Sequence, residues 1–534
     1  MSTQGQSEEK SFYEYQGRHK GIFAWILSTD HKRIGLLYMY SILTFFSIAA
    51  TLGLLMKFEL IAPGKTIMGP ETYNAFFTLH GIIMIFAVVI PGLPAVFGNF
   101  FLPILIGSKD VAFPRINLLS WYMYLTGVSM ILISEFTGKG PPDTGWTFYA
   151  PYSIRTTGNM IPAVMGAFVL GFSSVLTGLN FITTMHRMRA KGMSWSKMPL
   201  FPWSLYATGW VQIIATPVIG VTLVLIVAER VFHIGFFDPT LGGDPLLYQH
   251  LFWTYSHPAV YIMILPAMGA ISEVISTFSH KIIYGYKFMV GSLLAIAIVG
   301  YFIWGHHMFT SGLSGTALFT FSLLTFLVAI PSAIKVFNWV ATMYKGSIDL
   351  QTPFLWAMAF IFVFMIGGFT GLLLGSLVTN VHLHGTHFVV GHFHFILFGG
   401  TGFAFFAAMH YWYPKVTGRM YDKVWANIGL LIFLTGFLFL YGGMLYVGYQ
   451  GMPRRYYDYD PMFHTGNIFS SFGAYVLFMG AIIIITNLFV SLRRGVRAPS
   501  NPWGGKTLEW TTSSPPPHEN FHETPVVTTG PYNY

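Results

Sequence analysis

The 534-residue chain contains no cysteine. That absence excludes disulfides, iron–sulfur clusters, a CxxCH haem attachment and a thiolate copper centre within this chain, so any metal must be held by nitrogen or oxygen. Charge is also scarce. Asp, Glu, Lys and Arg together make up 9% of the residues, where soluble domains run near about 25%. The 29 Lys and Arg outnumber the 20 Asp and Glu, giving a net charge of +9. That excess follows membrane topology, as shown below, and no nucleic-acid partner is expected. The first residues lack an apolar core, so no cleavable signal peptide is expected. No internal repeat and no long internal linker is visible.

What is abundant is apolar. The chain is 54% hydrophobic and 18% aromatic, with a mean hydropathy of +0.57. This composition predicts an all-α polytopic membrane protein of about twelve transmembrane helices in one bundle. Twelve apolar segments are long enough to cross a hydrocarbon core of about 30 Å. They span 34–56, 76–105, 117–136, 160–185, 203–232, 248–278, 284–309, 315–343, 353–379, 387–413, 424–449 and 468–492. The bundle is thus expected over 34–492, with an N-terminal segment at 1–33 and a tail at 493–534. The first twenty or so residues and the tail around Ser513-Ser514-Pro515-Pro516-Pro517 read as disordered.

The basic residues orient the bundle. Of the 29, 21 fall on the side holding both termini, and seven on the other: Lys57, Lys65, Lys139, Arg155, Arg230, Arg454 and Arg455. Lys335 lies inside a span. The rich side is expected to be cytoplasmic, with both termini facing in, which requires an even number of spans.

Helix direction and a rise of about 1.5 Å per residue place six histidines in the outer third of the bundle. They are His80, His257, His306, His307, His392 and His394. One such imidazole could bond a backbone carbonyl. Six at one depth, where water is scarce, each need a polar partner, and metal is the most economical. His392 and His394 are two apart, about 200° around a helix, so they can serve two centres on opposite sides. His306 and His307 can converge with a third histidine. Three imidazoles suit copper and single axial imidazoles suit haem iron. No HExxH motif supports a zinc hydrolase. A twelve-helix transporter fits the hydropathy but does not require six level histidines.

The segments "WTYSHPAVY" (253–261), "WGHHMF" (304–309) and "HLHGTHFVVGHFHF" (382–395) resemble signatures of the type A haem-copper oxygen reductases, the cytochrome c oxidase subunit I family. The resemblance extends from "STDHKRIGLLY" (28–38) to "PPPHENF" (515–521). It implies a catalytic subunit that reduces O2 to water with electrons from cytochrome c or another donor, coupled to proton translocation. It implies two haems, expected to be haem A, and one copper. His80 and His394 resemble the low-spin haem ligands, and His392 the high-spin haem ligand. His257, His306 and His307 resemble the copper ligands. Tyr261, one turn after His257, resembles the tyrosine that is cross-linked to that histidine in the family and supplies an electron and a proton. Phe393 is expected between the haems.

The resemblance also implies proton routes. Lys335 and Ser332, in "IPSAIKVF" (330–337), resemble the family's lysine channel leading to Tyr261, with Ser272 and Thr370 as further members. Asn99, Asp110 and Asn117, in "GNFFLPILIGSKDVAFPRIN" (98–117), resemble the mouth of its aspartate channel. Many relatives end that channel with a glutamate at the position of Ala259. Here Tyr255 and Ser256 stand just before His257, as in the subgroup with a Tyr-Ser pair.

On the outer side, Arg454, Arg455 and Trp146 resemble haem-propionate contacts. His384 resembles a ligand of a magnesium or manganese site, although Gly385 replaces the usual aspartate. Lys57 stands where an arginine often contacts the low-spin haem formyl. The family's binuclear copper site uses two cysteines, so it is expected on a separate subunit II, with other small membrane subunits as further partners. A bacterial plasma membrane is the expected location. A nitric oxide reductase fits less well, because Tyr261 and Lys335 are present and added carboxylates near the copper ligands are not. A quinol oxidase would differ in its donor.

Overall fold

A computed structural model describes residues 11–15, 17 and 19–534. Eleven of its helices are long and apolar enough to cross a membrane. These are α1 His31–Glu59, α2 Pro70–Leu105, α3 Pro114–Phe136, α4 Met160–Arg187, α5 Leu200–Phe232, α6 Pro245–Ser279, α8 Gly315–Met343, α9 Thr352–Gly375, α10 His387–Thr417, α11 Lys423–Tyr449 and α12 Pro461–Arg494. Between α6 and α8 lies the shorter apolar helix α7, Tyr286–Phe302.

The seventh expected span therefore ends early. The chain tightens to 3₁₀ geometry at Gly300–Phe302 and again at Trp304–Met308, so His306 and His307 sit on a turn rather than on the helix. Two close approaches explain it. A Cβ on Gly300 would lie 2.4 Å from the Tyr261 ring of α6, and one on Gly305 would lie 2.3 Å from the Phe321 ring of α8.

Local chemistry starts the helices where the sequence allows. Asp30, Asp244 and Asp422 accept hydrogen bonds from the first backbone N–H groups of α1, α6 and α11, and Ser314 and Thr386 do so for α8 and α10. Proline occupies the first turn of α2, α3, α6 and α9, where its missing N–H costs nothing. α2 widens into π-helical turns at Ile83–Val89 and Gly92–Gly98, and α10 does so at His394–Gly402. Such turns break the regular 3.6-residue period beside functional side chains.

α6 forms the middle of the bundle. Its most apolar window is 89% buried, against 6% for α8 and 11% for α1. The outward faces of α8 and α1 are apolar, as contact with lipid requires. Small residues bring backbones together, as they do where lipid removes the hydrophobic drive for helix pairing. On α11 and α12, Cβ atoms at Gly436 and Gly473 would fall 2.1 Å from Leu477 N and 2.2 Å from Leu440 N.

The expected disorder at the two ends is corrected where the chain is described. Residues 1–10, 16 and 18 lie outside the described residues. Phe12, however, is fully buried and meets Phe100 edge-on at 5.6 Å. The tail folds against the inner ends of the helices: Glu509 and Asn520 are fully buried. Lys415 Nζ donates to the carbonyls of Ser500 at 2.8 Å and Thr512 at 2.6 Å. Leu200 N donates to Tyr532 Oη at 2.7 Å, and Tyr532 Oη donates to Glu273 Oε1 at 2.8 Å. Proline-rich composition hid this order, which comes from polar contacts with distant loops.

α10 begins where it presses on α11. A Cβ at Gly448 would lie 1.7 Å from Phe388 N. Gly448→Ala is expected to push the start of α10 away, at a cost of about 1–3 kcal/mol. Thermal unfolding of the purified variant should begin at lower temperature, with the absorbance of any group held by His392 and His394 lost first.

Candidate metal centre

The core of the site joins α6 to the turn after α7. His257 Nδ1 lies 3.0 Å from His307 Nε2, which lies 3.1 Å from His306 Nε2. Three lone-pair nitrogens facing one point cannot satisfy one another with the few protons neutral imidazoles carry. A cation among them satisfies all three. Metal–nitrogen bonds of about 2.0 Å place two tetrahedral ligands about 3.3 Å apart, close to the spacing seen. Among the described residues this is the one group of three metal-binding side chains so gathered.

The surroundings set the tautomers. His306 Nδ1 is 2.9 Å from Thr325 Oγ1, which donates onward to Phe321 O at 2.6 Å. Nδ1–H therefore donates to the hydroxyl and the Nε2 lone pair faces the centre. Trp253 stacks on His307 with ring centroids 3.8 Å apart and donates from Nε1 to Tyr149 Oη at 2.5 Å. His257 Nε2, on the far edge of its ring, is buried with no hydrogen-bond partner. The Tyr261 ring lies beside it, 4.8 Å between centroids and edge-on.

Three further histidines share one design. His80 Nδ1 donates to Ala49 O at 2.8 Å, His394 Nδ1 to Val390 O at 2.8 Å, and His392 Nδ1 to Gly367 O at 3.1 Å. Each bond leaves the Nε2 lone pair as the free ligand atom, which is the arrangement an axial haem ligand needs. Glycine makes room: a Cβ at Gly53 would lie 3.0 Å from the His80 ring, and one at Gly371 would lie 3.0 Å from the His392 ring. The two faces of α10 separate as expected. His392 turns to α9, while His394 stacks on Tyr441 of α11 at 4.4 Å. Phe393 stacks on His394 at 4.6 Å.

Above these histidines lie cations without anions. Arg454 sits over the Phe393 ring at 5.8 Å and Arg455 over Phe77 at 5.7 Å. Among the described residues no carboxylate pairs with either. Burial, and then Arg455 beside it, pushes Arg454 down to about 9. Two adjacent guanidiniums in this state call for an anionic group such as a propionate. Trp146 packs against Gly81, the residue after His80, and lies 5.9 Å from Trp253. Lys57 Nζ is buried and unpartnered one turn beyond Gly53, so it too needs an acceptor at the edge of the His80 site. These orphans fit haem and copper.

Burial, then Arg454, holds the His384 imidazole below its usual pKa, and His384 belongs to no group of three metal-binding side chains among the described residues.

The proton-route residues are placed as follows. Lys335 is fully buried and donates to Met289 O at 3.0 Å. Ser332 donates to its own helix at Val328 O, 2.9 Å. Ser272 accepts from Trp339 Nε1 at 2.9 Å. Thr370 Oγ1 lies 3.0 Å from His392 Nδ1. Near the inner loop, Asp110 Oδ1 accepts from Val111 N at 2.7 Å, and burial raises its carboxyl to about 7. Asn99 and Asn117 are buried, with Asn99 Oδ1 and both side-chain polar atoms of Asn117 unpartnered. Tyr255 and Ser256 are buried beside His257, and Ser256 Oγ has no partner.

The sequence reading missed the links between these groups. Tyr38 Oη lies 3.0 Å from Ser120 Oγ and 3.2 Å from Ser173 Oγ. A small cavity beyond them is lined by Ser173, Ser174, Thr177 and Gln212 among others. Polar residues at helical spacing within apolar spans were the available signal. Thr325 gave no such signal, because only the fold sets it against His306.

The family described as "Cytochrome C and Quinol oxidase polypeptide I" matches residues 33–476. Cytochrome c oxidase subunit 1 of Synechocystis sp. is 42% identical over 519 residues, covering 97% of this chain and 94% of that one. The Cereibacter sphaeroides protein of the same name is 38% identical over 555 residues, covering 97% and 98%. A solved heme-copper terminal oxidase dimer shares the fold, with a TM-score of 0.71 at 21% identity over 88% of this chain and 86% of that one.

His257 and His80 belong to separate groups in this geometry. His257→Ala is expected to lose most of the bound copper and to cut oxygen consumption more than about 100-fold, while the reduced-minus-oxidised signal of the group held by His80 and His394 persists. Metal analysis showing retained copper with normal turnover would overturn the trio.

Proposed function

We propose, for a chain that belongs to the cytochrome c oxidase subunit 1 family, that it is the catalytic polypeptide of a respiratory terminal oxidase reducing O2 to water. The observation that carries this reading is the convergence of three imidazole nitrogens beside Tyr261, at 3.0 and 3.1 Å. His257, His306 and His307 hold copper, His392 the high-spin haem iron, and His80 and His394 the low-spin haem iron. When bound, these groups supply the electrons and the binding site for oxygen. Haem A is the proposed type, with Lys57 donating to a carbonyl substituent at the haem edge. Arg454, Arg455 and Trp146 hold the propionates.

The protein's own residues manage protons and water. Tyr261 places a phenol against His257 and can give up its hydroxyl proton there. In this reading it is joined covalently to the open edge of that imidazole. Lys335 carries protons towards it from the inner side, with Ser332 and Ser272 along the way. Asp110 collects protons at the inner face, Asn99 and Asn117 pass them through water, and Tyr255 and Ser256 stand at the outer end of that route. The apolar walls of α6, α9 and α10 exclude bulk water, so protons arrive only along the polar lines.

Electrons come from outside the chain. Without cysteine, it cannot build a thiolate-bridged copper pair, so cytochrome c or another donor reaches it through a separate subunit II. The proposed location is a bacterial plasma membrane, with residues 34–492 forming the membrane domain, 1–33 and 493–534 inside, and small membrane subunits around it.

Two outcomes test the proton assignments. Lys335→Met keeps the volume and removes the charge. It should lower oxygen consumption by about 100-fold with normal haem spectra, and near-normal turnover in the purified variant would reject that route. For Asp110, a carboxyl raised to about 7 is loaded below that pH and empties above it. Proton uptake should therefore decline as pH rises through about 7 in the wild type, and Asp110→Asn should be slow and flat across that range. An unchanged pH profile in Asp110→Asn counts against the carboxyl as the collector.

A further inference from the structure

Thr208, Gln212 and Thr216 follow one another at intervals of four residues on α5. They form one stripe, with a step of about 6 Å between neighbours. All three are buried, and Thr208 Oγ1, Gln212 Oε1 and Thr216 Oγ1 have no hydrogen-bond partner in the protein. Ser174 Oγ on α4 is in the same state. Threonines inside a helix usually return their hydroxyl to the carbonyl one turn back, as Thr222 of the same helix does to Val218 O at 2.8 Å. The two on the stripe do not. Buried polar groups are paired in native proteins with few exceptions. Four orphans along one seam call for bridging water.

The stripe has a definite place. A Cβ at Gly178 of α4 would lie 3.0 Å from Gln212 Oε1, and one at Gly171 would lie 3.1 Å from Thr216 Cγ2. Glycine on α4 thus lets the stripe of α5 pack directly against α4. At its middle, Gln212 lines the cavity shared with Tyr38, Ser173 and Ser174. Its outer end follows from helix register. α5 and α6 run antiparallel, and Ser204 abuts Gly269. With equal rise on both helices, Thr216 lies level with His257 and Ser256. Ser256 Oγ is itself buried and unpartnered. Tyr301 Oη donates to Val211 O at 3.0 Å, fixing α7 against α5 in this region.

We propose that Thr208, Gln212 and Thr216 hold a chain of ordered water that carries protons from the serine-lined cavity to Ser256. The hydroxyls accept and donate in turn. Gln212 orients the waters without taking up the excess proton. Each water accepts one proton on the inner side and releases another on the outer side, so the chain is chemically unchanged after each transfer. The inference rests on the proposed inner proton route and extends it with a helix that the route did not include.

The test uses the assembled enzyme in vesicles oxidising a donor. Gln212→Leu with Thr216→Val removes the polar groups and keeps much of the volume. It should lower protons ejected per electron and slow proton uptake about 10-fold, with haem spectra and copper content unchanged. Gln212→Glu with Thr216→Ser should restore ejection. Wild-type ejection by the apolar pair would overturn the inference. Equal failure of the polar pair would also overturn it, since that marks a packing role. If the double variant does not assemble its haems, Thr216→Val alone gives the same reading. A normal apolar pair beside an impaired Asp110→Asn removes only this water chain, whereas wild-type ejection by Asp110→Asn removes the underlying route. A high-resolution map should show ordered waters within hydrogen-bond distance of Gln212 and Thr216, and a dry seam would contradict the proposal.

Discussion

The structure depends on one bond type repeated around its centre: an imidazole N–H given to a fixed acceptor. His80, His392 and His394 give Nδ1–H to backbone carbonyls, and His306 gives it to Thr325. Each bond fixes ring orientation and leaves Nε2 as a lone-pair donor pointing inward. A dry interior makes such bonds strong and makes an unoriented imidazole costly. The site is thus built for metal before metal arrives. The acceptors sit on helices other than those of their histidines for His80 and His392, so the packing of α1 against α2 and of α9 against α10 is part of the ligand geometry.

Packing at glycine delivers that geometry. Gly53 and Gly371 let imidazole rings lie against neighbouring helices, and Gly300 lets the backbone close over Tyr261. Tyr261 is held beside His257 both by its position one turn along α6 and by this lid. Catalysis that moves several electrons needs such preset geometry, because reactive groups cannot be allowed to search for one another. The same packing leaves an interior that is apolar apart from lines of hydroxyl and amide groups. In the proposed reading, proton delivery is then confined to Lys335 on one side and to the asparagine, serine and threonine positions on the other.

Cations of two kinds complete the design. Lys335 has at least a carbonyl partner, Met289 O. Among the described residues Lys57, Arg454 and Arg455 have no carboxylate partner, which leaves them as donors for anionic and carbonyl groups of a bound haem. The inner face uses charge differently. There, Lys32 Nζ is 3.1 Å from Asp30 Oδ1, and His518 Nδ1 is 2.8 Å from Asp30 Oδ2. The second pair ties the C-terminal tail to the start of α1, near Asp110.

The sequence by itself determined the helical class, the near-complete set of spans and the six histidines to consider as ligands, because hydropathy and period are local properties and histidine is rare in lipid. It also paired His392 and His394 with opposite faces of one helix. Only the tertiary structure decided the rest. That His306 and His307 lie on a 3₁₀ turn depends on Gly300 and Gly305 meeting rings from α6 and α8. That Thr370 touches His392, and that Thr325 touches His306, depends on how α9 and α8 rotate against their neighbours. The order of the C-terminal tail comes from Asn520, Tyr532 and the carbonyls that Lys415 caps, contacts made across hundreds of residues. Such contacts leave no period in the sequence, since a hydrogen bond between distant segments constrains their meeting in space and not the spacing of residues along the chain.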